Sequence, residues 1–173
     1  RLDEHILAAW GDDGHAGPLH GWRGDTPGTG RADDGAIRPA GGRGRHGQPR
    51  FDQVVPSGGY LWWYVDAMSD DMQHSLTLIA FVGSVFSPYY RWARRGRNAD
   101  PNNHCAINVA LYGPGGRWAM TERGQRHCHR DSSSFVAGPS RLDWDGQCLH
   151  MRIEEVCVPW LKPLKGHIRL WPQ

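Results

Sequence analysis

From residue 51 onward, apolar and polar positions alternate with the period of two that strands require. The run Tyr60-Leu-Trp-Trp-Tyr-Val-Asp66 is aromatic and β-branched and follows the turn Pro56-Ser-Gly-Gly59, so it reads as a first strand. Asp70-Asp71 makes a polar turn, and residues 75–82 return as the second strand of a hairpin. Residues 86–101 break the pattern: they are Arg-rich and turn-rich, and predict a long loop with one short helical turn. In residues 105–112, Cys105, Ile107, Val109 and Leu111 fall on one face and Ala106, Asn108, Ala110 and Tyr112 on the other. The turn Gly113-Pro-Gly-Gly116 leads into a strand over residues 117–122, and the polar stretch 124–134 reads as loop. Asp145-Gly146 is the dipeptide of a two-residue type I′ turn, which predicts a hairpin over residues 141–153 with Leu149, Met151 and Ile153 on one face. Pro159 ends that strand, and residues 166–170 form the last one. About eight short strands with almost no helical period predict an all-β, antiparallel sandwich or barrel.

Composition divides the chain near residue 50. Residues 1–50 hold 12 of the 23 glycines but only two of the 18 aromatic residues, Trp10 and Trp22, and no Val. Such a segment cannot bury enough apolar surface to offset its ordering entropy, so residues 1–50 are expected to be a low-complexity, disordered or non-native leader and residues 51–173 the folded domain. Arginine outnumbers lysine 18 to 2, and the first methionine is Met68, which fits a GC-rich leader of foreign origin. No basic start followed by an apolar run marks a signal peptide, so the cytoplasm is the expected compartment. A formal charge of +2, from 20 basic and 18 acidic residues, argues against nucleic acid as the main partner.

The candidate chemistry is sparse. His104-Cys105, His127-Cys128-His129 and Cys148-Leu-His150 carry zinc-type ligands, but with no C-x₂-C and no H-x₃-H spacing, and neighbours on a strand point to opposite faces. No metal site is expected, and Cys105, sharing a face with Ile107, Val109 and Leu111, reads as an inert core thiol. The basic, aromatic stretch Arg91-Trp-Ala-Arg-Arg-Gly-Arg97 suits either a solvated loop or contact with an anionic membrane surface. In the first strand, Trp62, Tyr64 and Asp66 share one face while Trp63 and Val65 take the other. An acid held among aromatic rings loses water, keeps its proton and can donate it, and ring faces stabilise a neighbouring cation. The simpler reading is that the aromatics fill a core and Asp66 is a hydrogen-bonded residue near a strand end.

Four runs resemble one family. They are Val55-Pro-Ser-Gly-Gly-Tyr-Leu-Trp-Trp-Tyr-Val-Asp-Ala67, Ile79-Ala-Phe-Val-Gly-Ser-Val-Phe-Ser-Pro-Tyr-Tyr90, Asp100-Pro-Asn-Asn-His-Cys-Ala-Ile-Asn-Val-Ala-Leu-Tyr-Gly113 and Arg117-Trp-Ala-Met-Thr-Glu-Arg-Gly124. In this order they resemble the opening of the carotenoid 1,2-hydratases, or hydroxyneurosporene synthases, across residues 51–173, whereas residues 1–50 resemble nothing in the family. The resemblance implies a lipocalin-like fold of two β-rich halves, of which this chain is the first. It implies a hydro-lyase that adds water to the terminal C1–C2 double bond of acyclic carotenoids such as neurosporene or lycopene, without a cofactor. A non-catalytic lipocalin-like binder of apolar isoprenoids is the alternative. The implied partners are the carotenoid, the remaining half of the same chain and, because such substrates live in a bilayer, a peripheral contact with the inner membrane. The family's Tyr-x-Asp acid motif and its upstream His-x-Trp belong to the second half. Local chemistry therefore leaves Asp66 and Tyr64 as catalytic candidates, with Trp62, Trp63, Tyr112 and Trp118 as candidates for substrate binding.

Overall fold

In the computed structural model, residues 49–69, 71–96, 99–159 and 161–170 are described in full, and residues 6–10, 18–20 and 25–31 as backbone strands. The strands are β1 (Ile6–Trp10), β2 (Pro18–His20), β3 (Asp25–Arg31), β4 (Gly59–Ser69), β5 (Ser75–Val82), β6 (Cys105–Tyr112), β7 (Arg117–Arg123), β8 (Cys128–Arg130), β9 (Ser134–Ala137), β10 (Ser140–Trp144), β11 (Leu149–Val156) and β12 (Pro163–Leu170). They form one antiparallel sheet in the order β7-β6-β5-β4-β2-β1-β12-β11-β10-β9-β8, with β3 also paired to β4. The fold is all-β; among the described residues there is one short helix, α1 (Pro88–Ala93), with 3₁₀ turns at Pro101–His104 and Gln125–His127. Strands β1 to β3 fall in the stretch whose composition marks it as a leader; the rest of that stretch lies outside the described residues.

The sheet folds over on itself because one face of each long strand is apolar. Leu61, Trp63, Val65 and Ala67 of β4, Leu76, Leu78, Ala80 and Val82 of β5 and Cys105, Ile107 and Val109 of β6 point inward. They meet Phe135 of β9, Leu142 of β10, Met151 and Ile153 of β11 and Leu164 and Ile168 of β12. At the centre the Trp63 ring lies 4.9 Å from Phe51 and 5.5 Å from Phe135, centroid to centroid. The Trp63 indole N–H donates to the Arg50 carbonyl at 3.0 Å, so this large ring is buried without losing its hydrogen bond. The fold-over brings β7 against β11. The Val158 amide donates to the Trp118 carbonyl, and Arg123 of β7 pairs at 3.2 Å with Glu155 of β11, whose carboxylate also accepts from Ser140 Oγ at 2.6 Å. Strands β7 and β8 end the sheet without pairing to each other, so the described pairing closes no barrel.

Three local expectations change. Residues 124–134, expected as loop, contain β8 and lead straight into β9. Strand β8 is three residues long, half-exposed and paired only with β9, so it carries no apolar alternation to read. The hairpin at Asp145-Gly146 is not a two-residue type I′ turn. Residues 145–148 form the loop, Trp144 pairs with Leu149, and only Gly146 has positive φ. The Asp145 carboxylate shapes that loop by accepting from the amides of Gln147 and Cys148 at 2.8 and 2.7 Å. Strand β12 begins at Pro163 rather than Gly166, a position proline tolerates because it is the strand's first residue.

Candidate functional site

Strand alternation gives β4 to β7 a second face, turned away from the core. Four cross-strand rows define it: Trp62-Phe81-Ala106-Glu122, Tyr64-Ile79-Asn108-Met120, Asp66-Thr77-Ala110-Trp118, and Met68-Ser75-Tyr112. Five of the six candidate residues, Trp62, Tyr64, Asp66, Tyr112 and Trp118, therefore share one surface. Trp63 does not: it is 6% exposed and packed in the core, out of reach of a ligand on that surface. Trp62 stacks on Tyr60 with centroids 5.1 Å apart and rings 6° from parallel. At the other side of the face Tyr112 is 54% and Trp118 46% exposed, and the Trp118 indole N–H is aimed by a 2.7 Å bond to Asn108 Oδ1. In the row from Asp66 to Trp118 the two middle residues, Thr77 and Ala110, are small, so that row is a shallow trough, while Ile79 and Asn108 stand between Tyr64 and Met120 in the next. Asp66 and Trp118 are three strands apart in one row, roughly 14 Å by strand spacing.

Of the two settings the sequence offers for Asp66, the structure has the simpler, hydrogen-bonded one. Its side chain is exposed, and its Oδ1 accepts from Thr77 Oγ1 at 2.9 Å. The neighbouring rings leave it open to water.

A second polar cluster sits where β4 starts, β5 ends and β7 ends, and of its residues the sequence singled out only His104, as a zinc-type ligand. Glu122 bonds His104 Nδ1 through one oxygen and accepts from Ser87 Oγ with the other. Ser87 also caps α1 by accepting from the Tyr90 amide at 2.9 Å. The Tyr90 ring lies 4.8 Å from the His104 ring, and its hydroxyl donates to the Gly59 carbonyl. Burial pushes the Tyr90 phenol up to about 12, so it stays a donor. The Ser-Pro pair at 87–88 is the other trace of this cluster in the sequence, as a helix-start signature.

Among the described residues no three His, Cys, Asp or Glu side chains gather as a metal site would need. Cys105 is 1% exposed in the core. Cys128 of β8 stands beside it and donates to the Arg123 carbonyl at 3.6 Å. A bond between the two thiols, together with burial, raises Cys105, and the same bond lowers Cys128.

The comparisons with known proteins bear on this face. The family described as carotenoid hydratase CrtC matches residues 78–173, which include β5 to β7 and all of β8 to β12 apart from the first three residues of β5. An acyclic carotenoid 1,2-hydratase of Rubrivivax gelatinosus is 62% identical over 130 residues, covering 73% of this chain and 32% of the relative. One of Thiocapsa roseopersicina is 49% identical over 158 residues, 91% of this chain and 39% of the relative. That span reaches into the first fifty residues, which corrects the expectation that they resemble nothing in the family. A third, of Cereibacter sphaeroides, is 47% identical over 96 residues, 55% of this chain and 33% of the relative. The chain thus spans between 32% and 39% of the length of these relatives. No solved structure matches. With more than half of its residues inside the family match, the chain belongs to the carotenoid hydratase CrtC family.

Proposed function

We propose that this chain is part of a hydratase that adds water across the terminal C1–C2 double bond of an acyclic carotenoid such as neurosporene or lycopene. The observation that supports the reading is the outward face of β4 to β7, where Trp62 and Tyr64 on one side and Tyr112 and Trp118 on the other stand about the shallow row of Thr77 and Ala110 beside Asp66. A polyene is long, flat and apolar, and an aromatic trough matches all three properties. Hydration needs an acid that gives a proton to C2. The tertiary cation then rests on C1, water adds there, and the oxygen returns a proton to the base that the acid has become. Asp66 is the acid on this face and Tyr64 its neighbour, and the rings are suited to hold the cation. In this reading the rest of the protein covers the face, and that cover removes the water now around Asp66.

The test is Asp66→Asn in the full-length protein, assayed with lycopene for the hydroxylated product. A fall in kcat of about a hundredfold or more is expected for loss of a general acid. Unchanged hydration removes Asp66 from the mechanism. The aromatic trough alone also suits a face that only holds the polyene, the non-catalytic reading; Trp118→Ala then weakens carotenoid binding while no product forms in either protein.

A further inference from the structure

The loop and helix between β5 and β6 present four large apolar side chains to solvent within eight residues: Val85 is 43%, Phe86 62%, Tyr89 71% and Trp92 72% exposed. Tyr89 and Trp92 are three apart on α1 and so share a face. Contiguous exposure of this kind on a folded surface marks a contact site. The side chains are held rather than loose. Phe86 packs edge-on against Phe81 at 5.5 Å and 87°. Ser87 caps the helix and is tied to Glu122, and Tyr90 is buried with its hydroxyl on the Gly59 carbonyl. Gly83, at φ +72, makes the tight exit from β5, where a Cβ would stand 2.5 Å from the Gly59 carbonyl oxygen.

The segment that carries the patch has charge of one sign, the nearest carboxylate, Glu122, being tied to Ser87 and His104. Residues 83–99 contain four arginines and no acidic residue, and Arg91 and Arg95 are exposed beside Tyr89 and Trp92. The same end of the sheet, where β6 starts and β7 ends, holds an open cleft of about 470 Å³ lined by Arg123, Arg126, His127 and His129. Tryptophan and tyrosine have an apolar body and a polar tip, the combination favoured at a membrane–water boundary, and arginines beside them attract anionic headgroups. No helix among the described residues is long and apolar enough to cross a membrane.

We infer that the α1 surface, with Phe86, Tyr89 and Trp92 as anchors and Arg91 and Arg95 as headgroup contacts, docks the protein on an anionic lipid bilayer. The inference rests on the proposed function, because a bilayer-dissolved substrate gives docking its purpose. Phe86 packs on buried Phe81, the cross-strand partner of Trp62, so the patch lies beside the end of the outward face that carries Trp62.

The experiment is co-flotation of the full-length protein with vesicles of phosphatidylcholine alone or mixed with phosphatidylglycerol. Expected is binding to the anionic vesicles that falls about tenfold or more in Y89A/W92A and in R91E/R95E, and weak binding to phosphatidylcholine alone. These side chains are exposed, and hydration of detergent-dispersed lycopene at the wild-type rate verifies that the variants are folded. Wild-type flotation in both variants overturns the inference, as does equal binding to both vesicle types or to neither. Anionic vesicle binding that follows the predicted variants, in a protein that hydrates no carotenoid, upholds the docking surface and removes the proposed function instead.

Discussion

Glu155→Ala tests how the folded-over sheet is held between β7 and β11. The Glu155 side chain is 1% exposed and is met from two strands, by Ser140 Oγ at 2.6 Å and by Arg123 Nη2 at 3.2 Å. Removing one member of a buried ion pair costs about 3–5 kcal/mol, because the other charge is left without its partner. Two features reduce that figure. Arg123 is 20% exposed and so reaches some water, and Ser140 Oγ keeps its 3.0 Å bond from the Glu154 amide. The expected loss is about 2–3 kcal/mol, or a fall in Tm of roughly 5–10 °C. Glu155→Gln keeps an acceptor for Ser140 but loses the charge, and is expected to cost about 1–2 kcal/mol. Urea and thermal unfolding of the full-length protein measure both. A double-mutant cycle with Arg123→Ala is expected to show a coupling of about 1 kcal/mol or more. A loss below about 0.5 kcal/mol for Glu155→Ala, the level of an exposed pair, refutes the reasoning.

Two further outcomes follow from titrating groups. Asp145 is drawn down to about 2 by its bond to His150 and by the Cys148 and Gln147 amides. A carboxyl lowered in the folded state stabilises above its unfolded value, near 3.9, and loses that contribution as pH falls through about 2. The stability difference between wild type and Asp145→Asn is therefore expected to be full above about pH 4 and to shrink toward pH 2; a difference constant over that range contradicts the assignment. Cys128, lowered by its bond to Cys105 and half-exposed, is expected to react with iodoacetamide at least about tenfold faster than buried Cys105, as read by peptide mass spectrometry. Equal rates at the two thiols contradict the pairing.

The long strands were legible because each buries one face. In β4, β5, β6 and β11 every second residue turns inward, and almost all of those residues are apolar. The same alternation was enough to put Trp62, Tyr64 and Asp66 on one surface. It was not enough to join them to Tyr112 and Trp118, since cross-strand register depends on turns whose lengths carry no side-chain pattern. Strand β8 was hidden because its three residues, Cys128, His129 and Arg130, bury no apolar stripe. The Ser87-His104-Glu122 cluster was hidden for a related reason: its members come from α1's cap, a 3₁₀ turn and a strand end, elements that only the folded chain brings together. The choice between a desolvated and a hydrogen-bonded Asp66 was not legible, because it depends on the cross-strand partner Thr77 and not on residues adjacent along β4.

Strand β4 is apolar on both sides, with Leu61, Trp63 and Val65 against the core and Trp62, Tyr64 and Met68 on the trough. Such a strand is ambiguous. A slip of one residue exchanges one greasy row for another and exposes little that was hidden, so burial discriminates weakly between the right pairing and the wrong one. The discrimination falls to the strand's two ends. Near one, the Gly59 amide turns back onto the Pro56 carbonyl, and the Trp63 indole fixes its place on Arg50. At the other, Ser69 is clasped by Asp71 and by the backbone of His74. These few polar contacts act as the index marks of the sheet: the surface that suits a polyene removes the usual safeguard against misthreading, and the ends of β4 supply it.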